Sequence, residues 1–375
     1  MNRLSKLKLN EVFSILIGLY SLSAQLFLNE LPFQIYASDH SLIIAAIGTI
    51  SSIFTAYFCC PKISIVRIFS YNPASPSSLF LIIKILFLIA VFYCIYVLVI
   101  HIPGIPFSRG RSASYEYYLS FSVPLMLQKI QTFLVCCSII YFSMGKPILP
   151  IFSFLIIGIL DSLYGNRTVL YYFLIMVIMT DSQYHFPKRL KLIVPLILMC
   201  LLLRTFFFSG NLIEINSIDL LFAIAGEFIF TSFAFPLAID VAQDSHIHNP
   251  ILSALGVGKI WGEQIEWAGD KIVETYKLPI GIACGPFCEI PFFVSDALTI
   301  ILMCIGFTFL MCLYFQLLAK LPPRFSYPSF LMILFLMRDA TRTGFITSFS
   351  SLILWSVVTI FFIHTFTKNR ITFIM

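Results

Sequence analysis

The chain has 375 residues, of which 59% are hydrophobic and 11% charged, with a formal net charge of +6 and a mean hydropathy of +0.95. A soluble globular domain carries about 45–50% apolar and about 25% charged residues, so this excess of apolar side chains has no water-soluble core to hide in. The composition excludes a soluble enzyme, a nucleic-acid binder and a disordered scaffold. It leaves a polytopic helical membrane protein, and at about 20 residues per crossing plus loops the length holds roughly ten helices.

Ten apolar stretches are the expected spans of an all-α transmembrane helix bundle, a single integral membrane domain over 1–375. They fall at 10–28, 41–60, 79–101, 124–143, 147–164, 168–180, 192–209, 297–319, 328–341 and 344–366. Arg3, Lys6 and Lys8 precede the first as a signal-peptide n-region would. No small-residue cleavage site follows, so the expectation is an uncleaved first helix. The stretches at 168–180 and 328–341 are the shortest of the set.

Lysine and arginine in short loops set orientation. With the N-terminus in the cytoplasm, thirteen of the 24 Lys and Arg lie in inner segments, eight in outer segments and three within spans. The first outer loop, Asn29–His40, carries none. Leu220–Ile239 is a further run of twenty residues with one charge, Glu227, and Gly226, Thr231, Ser232 and Pro236 interrupt it. An interfacial or re-entrant helix is expected there, of the kind tolerated where it lines a protein cavity. An eleventh span in its place would reverse every later segment. With the re-entrant reading, 210–296 is one long outer segment. It holds 11 of the 18 acidic residues, together with Trp261, Trp267 and an amphipathic helix over Gly262–Tyr276. Long structured loops in otherwise economical folds carry function.

The outer cations run against the charge rule. Arg109 and Arg111 sit in the loop Ser108–Tyr118, Arg167 in the turn Gly165-Asn166-Arg167, and Arg338 and Arg342 at the outer end of the ninth span. Lys129 and Arg204 lie about five residues from outer ends, roughly 7–8 Å at the helical rise. Ionisable groups in and beside a bilayer are functional candidates, and the arginine fork matches phosphate oxygens. The set reads as an outer anion site suited to a diphosphate, against the alternative that each arginine snorkels to headgroups. Glu227 is a general base or an arginine partner, or else an interface acid. Glu289, closing Gly285-Pro286-Phe287-Cys288-Glu289, belongs to an active-site loop, or else offsets the dipole of the eighth helix. Asp161 stands one turn before Gly165 and is placed to hold Arg167.

Asp244, His246 and His248 are too few and too loosely spaced to specify a metal, and none is expected. Cys284 and Cys288 are four apart; a bond between them closes a very small loop, and two free thiols are expected. No Walker loop, GxSxG or dinucleotide fingerprint occurs. No nucleotide or other cofactor is therefore expected, and the driving energy must come from the substrate, such as an activated lipid-diphosphate sugar.

Four segments resemble the Wzy-type polymerases of bacterial surface polysaccharide, the O-antigen polymerases. They are Gly165-Asn166-Arg167-Thr168, then Gly226-Glu227-Phe228 with Thr231, then the glycine-rich Pro279–Glu289 with its glutamate, and last the late arginine Arg338 near a helix end. Their order covers about 147 to 366; Ala283-Cys284-Gly285 lacks the family's double glycine. The resemblance implies an inner-membrane glycosyltransferase that polymerises undecaprenyl-diphosphate-linked oligosaccharide repeat units on the periplasmic face, without metal or nucleotide sugar, alongside a chain-length regulator. It implies that Arg167, Arg338 and Arg342, with Arg204, hold the diphosphate. Glu227, or Glu289, then deprotonates the acceptor, and Arg109 and Arg111 steer the second lipid. An O-antigen ligase has the same architecture and is the nearest alternative. A lipid-linked glycan flippase needs midplane charges and matching halves, which the sequence does not offer.

Overall fold

The structure is a computed structural model that describes residues 8–23, 37–63, 75–106, 124–164, 168–181, 217–244, 268–277, 284–322 and 344–368, with 114, 117–118, 166, 325, 328–329, 331–332, 334–335 and 341–342 between them. Among the described residues the regular structure is helical apart from one two-residue ladder. The helices are α1 Leu9–Leu22, α2 Asp39–Cys59, α3 Phe80–His101, α4 Pro124–Ser143, α5 Ile148–Leu163, α6 Thr168–Asp181, α7 Ser217–Asp244, α8 Ala268–Tyr276, α9 Ala297–Ala319 and α10 Phe345–Phe366. The expected spans at 192–209 and, apart from isolated positions, 328–341 lie outside the described residues.

Among the described residues three helices are long and apolar enough to cross a membrane: α2, α3 with its 3-10 extension to Gly104, and α9, of 21, 25 and 23 residues. At a rise of about 1.5 Å per residue each exceeds the roughly 30 Å of a hydrocarbon core. The faces of α2 are inverted relative to a soluble protein. On α2 the exposed stripe is Ile43, Ile47, Ile50, Phe54 and Phe58, while Ser41, Gly48, Thr49 and Ser52 are buried. Small residues inside and large apolar ones outside are what helix packing in lipid selects.

The helices fall into two compact units. The first contains α1, α2, α7 from Ala225 onward, α8, α9 and the first half of α10. Asn10 donates to the carbonyl of Tyr57 at 2.8 Å and Ser14 to that of Ile53 at 3.3 Å, so α1 and α2 are antiparallel. Gln316 donates to the Cys59 carbonyl at 2.7 Å, and a side chain on Gly48 would meet the Cys304 sulfur at 3.3 Å, so α9 is parallel to α2. Tyr20 and Phe228 stack edge-on at 4.8 Å, and Ser23 and Ser232 share a hydrogen bond of 3.0 Å, so α7 runs with α1. Asp240 near the end of α7 takes hydrogen bonds from the Ser38 amide and from the hydroxyls of Ser38 and Ser41, at 2.7–2.8 Å, at the start of α2. Hence Ser23, Ser38, Asp240 and the start of α9 share one end of this unit, and Leu9, Cys59 and Ala319 the other.

The helix expected over Leu220–Ile239 is present and longer than the apolar run. α7 is one continuous helix of 28 residues that passes through Pro236, about 42 Å long at the helical rise. The nine residues Thr231–Ile239 are all buried. A helix apolar around its whole circumference belongs inside a bundle. Thr231 and Ser232, which interrupt the apolar run in sequence, are part of its packing surface.

In the second unit α3 packs on α4 and α5, and α5 on α6. Gly158 lets the backbone of α6 at Leu170 approach, since an added methyl would meet it at 3.3 Å. Tyr164 donates to the Leu98 carbonyl, and Asp161 beside it is fully buried. At the other end of α3, β1 Ser75–Pro76 pairs antiparallel with β2 Thr367–Lys368, and the Ser77 amide donates to the Phe366 carbonyl at 3.0 Å.

Candidate functional site

Of the chemistry-bearing residues that the structure describes, Glu289 and Arg342 come together at one buried turn in the first unit. Cys284–Glu289 closes on itself because Gly285 adopts φ +73°, a left-handed conformation open to glycine without strain. This brings the α-carbons of Cys284 and Cys288 to 5.3 Å, and the two sulfurs are bonded. The expectation of two free thiols is therefore corrected. The separation lies inside the range that a disulfide spans, so the local turn, not the sequence interval, decides the outcome.

Three helices hold this turn. An added side chain on Gly285 would come within 3.1 Å of the Thr231 carbonyl oxygen on α7 and 3.3 Å of that of Tyr20 on α1. The Gly285 amide donates to the Arg342 carbonyl at 2.7 Å, and the Phe345 amide to that of Pro286 at 3.1 Å. The Phe287 ring is fully buried, 5.7 Å from Phe235 and 5.4 Å from Phe345.

Glu289 leaves the turn toward α10. Its carboxylate accepts from the Ile346 amide at 3.2 Å and is 6% exposed. Gly344 has φ +123°, and any side chain there would overlap that carboxylate. Glu289 thus occupies the N-terminus of α10, where orphan amides and the helix dipole favour an anion. The expectation that it serves the eighth span is corrected. That helix, α9, has its own cap in Asp296, which accepts from the amide and hydroxyl of Thr299 at 2.8 Å. The Thr299 amide and hydroxyl hold the Asp296 carboxyl below its ordinary range.

Of the residues singled out in the sequence, the structure brings Glu289 and half-buried Arg342 to the same turn. Glu227 lies in α7, one helical turn before Thr231, and its side chain is outside the described part. Arg109, Arg111, Arg167, Arg204 and Arg338 lie outside the described residues, as do His246 and His248. Among the described residues no three metal-ligating side chains gather. Sequence reasoning overlooked Gly344 and the Asp240 tie; the signal for the latter was the S-x-x-S cap at Ser38–Ser41.

No protein-family profile, curated protein or solved structure matches the chain.

Proposed function

We propose that this protein is a membrane glycosyltransferase that polymerises undecaprenyl-diphosphate-linked oligosaccharide repeat units into O-antigen or a similar surface polysaccharide. The observation that carries the reading is the convergence at the buried turn. The glycine-rich segment ending in Glu289, the α7 segment around Phe228 and Thr231, and the late arginine region at Arg342 meet there. They are far apart in the chain, and the first two are among the four places where it resembles the Wzy-type polymerases, while Arg342 follows the fourth, Arg338, by four residues.

In this reading the glycosidic bond to the diphosphate of one lipid breaks as the acceptor hydroxyl of the next unit bonds to that sugar carbon. Arg167, Arg338 and Arg342 hold the diphosphate and stabilise it as leaving group. Glu227 takes the acceptor proton. Arg109 and Arg111 steer the second lipid, and the segment after α7 covers the sugars and excludes water.

The topology that fits has α7 cross from the cytoplasm to the periplasm in the direction of α1. The outer segment then runs from the end of α7 to Asp296, and α9 returns inward with α2. The count stays at ten if 192–209 remains on the cytoplasmic side and α7 takes its place. The protein would lie in the bacterial inner membrane with this site facing the periplasm, working with a chain-length regulator.

A gel of surface polysaccharide from a deletion strain tests the activity. Single repeat units on lipid A are expected, and the complementing chain should restore the ladder. Unattached long chains would reassign the protein as a ligase, and an unchanged ladder would remove it from the pathway.

A further inference from the structure

We infer that Cys284 and Cys288 form a modification site, oxidised by a thiol–disulfide oxidase on the periplasmic side, and that the bond locks the turn carrying Glu289 against α10. The inference rests on the orientation proposed above and not on the glycosyl transfer. The bonded pair lies at the end of its unit shared by Ser23, Ser38 and the start of α9, because Gly285 abuts the carbonyls of Tyr20 and Thr231. At the opposite end the Cys60 thiol donates a hydrogen bond to the Cys312 sulfur, and both stay free of disulfides. Two close thiol pairs in one unit thus differ in state, as oxidising and reducing sides of a membrane would leave them.

The bond contributes to this turn because everything else that holds it is non-covalent. Cys284 and Cys288 bracket the three residues that carry the Gly285 amide, the Pro286 carbonyl and the Phe287 ring, and Glu289 follows directly. With the bond made, the Glu289 carboxylate leaves the turn already directed at Ile346. Cys284 is 6% exposed and Cys288 not at all. Oxidation must therefore precede docking of the turn, and the finished bond is shielded from thiols.

The chemistry is thiol–disulfide exchange. The Cys284 thiolate attacks the disulfide of the oxidase and forms a mixed disulfide, releasing one oxidase thiolate. The Cys288 thiolate then attacks the Cys284 sulfur and releases the second. Two electrons and two protons leave with the oxidase, now a dithiol.

The test is alkylation of the full chain in membranes, with peptide mapping by mass spectrometry. Membranes are dissolved in denaturing detergent with excess maleimide, with or without prior dithiothreitol. Without reductant, Cys60 and Cys312 should be alkylated and Cys284 and Cys288 not; with reductant all four should react. In cells lacking the periplasmic oxidase, Cys284 and Cys288 should react without reductant. In Cys288→Ser the Cys284 thiol should become reactive, and if that variant is degraded the wild-type comparison still decides. Alkylation of Cys284 and Cys288 in untreated wild-type chain would overturn the inference, as would protection that persists without the oxidase. Neither result bears on the polymer ladder, so this inference and the proposed activity fail separately.

Discussion

Glu289 caps a helix that begins far along the chain: its carboxylate takes the amide of Ile346, 57 residues later, at 3.2 Å. Gly344 leaves the space that this contact fills. Glu289→Gln keeps an acceptor and loses the charge, so a loss of about 0.3–1 kcal/mol is expected, the usual worth of a charge at a helix terminus. Glu289→Ala should cost about 1–2 kcal/mol, as lost caps do. Gly344→Ala should be worse than either, since a residue other than glycine at that φ adds about 1–3 kcal/mol of strain to the overlap with the carboxylate. Thermal denaturation of the detergent-purified protein ranks the three; Gly344→Ala as stable as wild type would contradict the geometry.

The arginines separate a phosphate grip from headgroup snorkelling. Lysine keeps the charge and loses the fork. A charge-assisted hydrogen bond of about 1.5–3 kcal/mol predicts roughly a 10- to 150-fold fall in rate for Arg167→Lys, Arg338→Lys and Arg342→Lys. The ladder should shift from long chains to single units. Arg111→Lys should be milder. Unchanged ladders in all three, with protein present in the membrane, return these residues to the lipid headgroups.

Glu227→Gln keeps the shape of the side chain and removes its basicity. Near-complete loss of long chains at normal protein level is expected. Full-length polymer from this variant takes Glu227 out of the mechanism.

The Asp240 tie fixes the end of α7 to the start of α2 through three hydrogen bonds. Asp240→Ala should destabilise the protein by about 2 kcal/mol, within the range for bonds to a charged acceptor, and Asp240→Asn by less. A chemical-denaturation series in mild detergent measures the difference. No change in Asp240→Ala would mean that water replaces the carboxylate without loss.

Topology has a direct assay. A reporter fused at Ile213 should behave as cytoplasmic, and one at Asp270 as periplasmic. A periplasmic signal at Ile213 would restore 192–209 as a crossing and set α7 aside.

Hydropathy made most helices legible: α2, α3 and α9 begin and end within about two residues of the apolar stretches that announce them, inside ordinary boundary scatter. In α7 the residues Thr231, Ser232 and Pro236 read as breaks, yet the helix runs through them. In a bundle in lipid such residues face other helices, and here Ser232 bonds to Ser23. The site was legible only in pieces. Glu289 at a helix start was a fair reading, but the helix it serves is 57 residues away, and no local pattern encodes a contact that distant. The Cys284–Cys288 bond depended on the backbone angle of Gly285, which spacing alone does not reveal.

The smallest element of the fold constrains the largest. A two-residue ladder joins Ser75–Pro76, just before α3, to Thr367–Lys368, just after α10. Hydrogen bonds do not reach across a bilayer, so those two helix ends lie on one side of it. The chain between them must cross an even number of times. Eight crossings meet that parity, with either α7 or 192–209 among them; nine, with both, do not. Eleven full crossings would set the two strands of this rung on opposite sides of the bilayer, a constraint that charge counting alone does not supply.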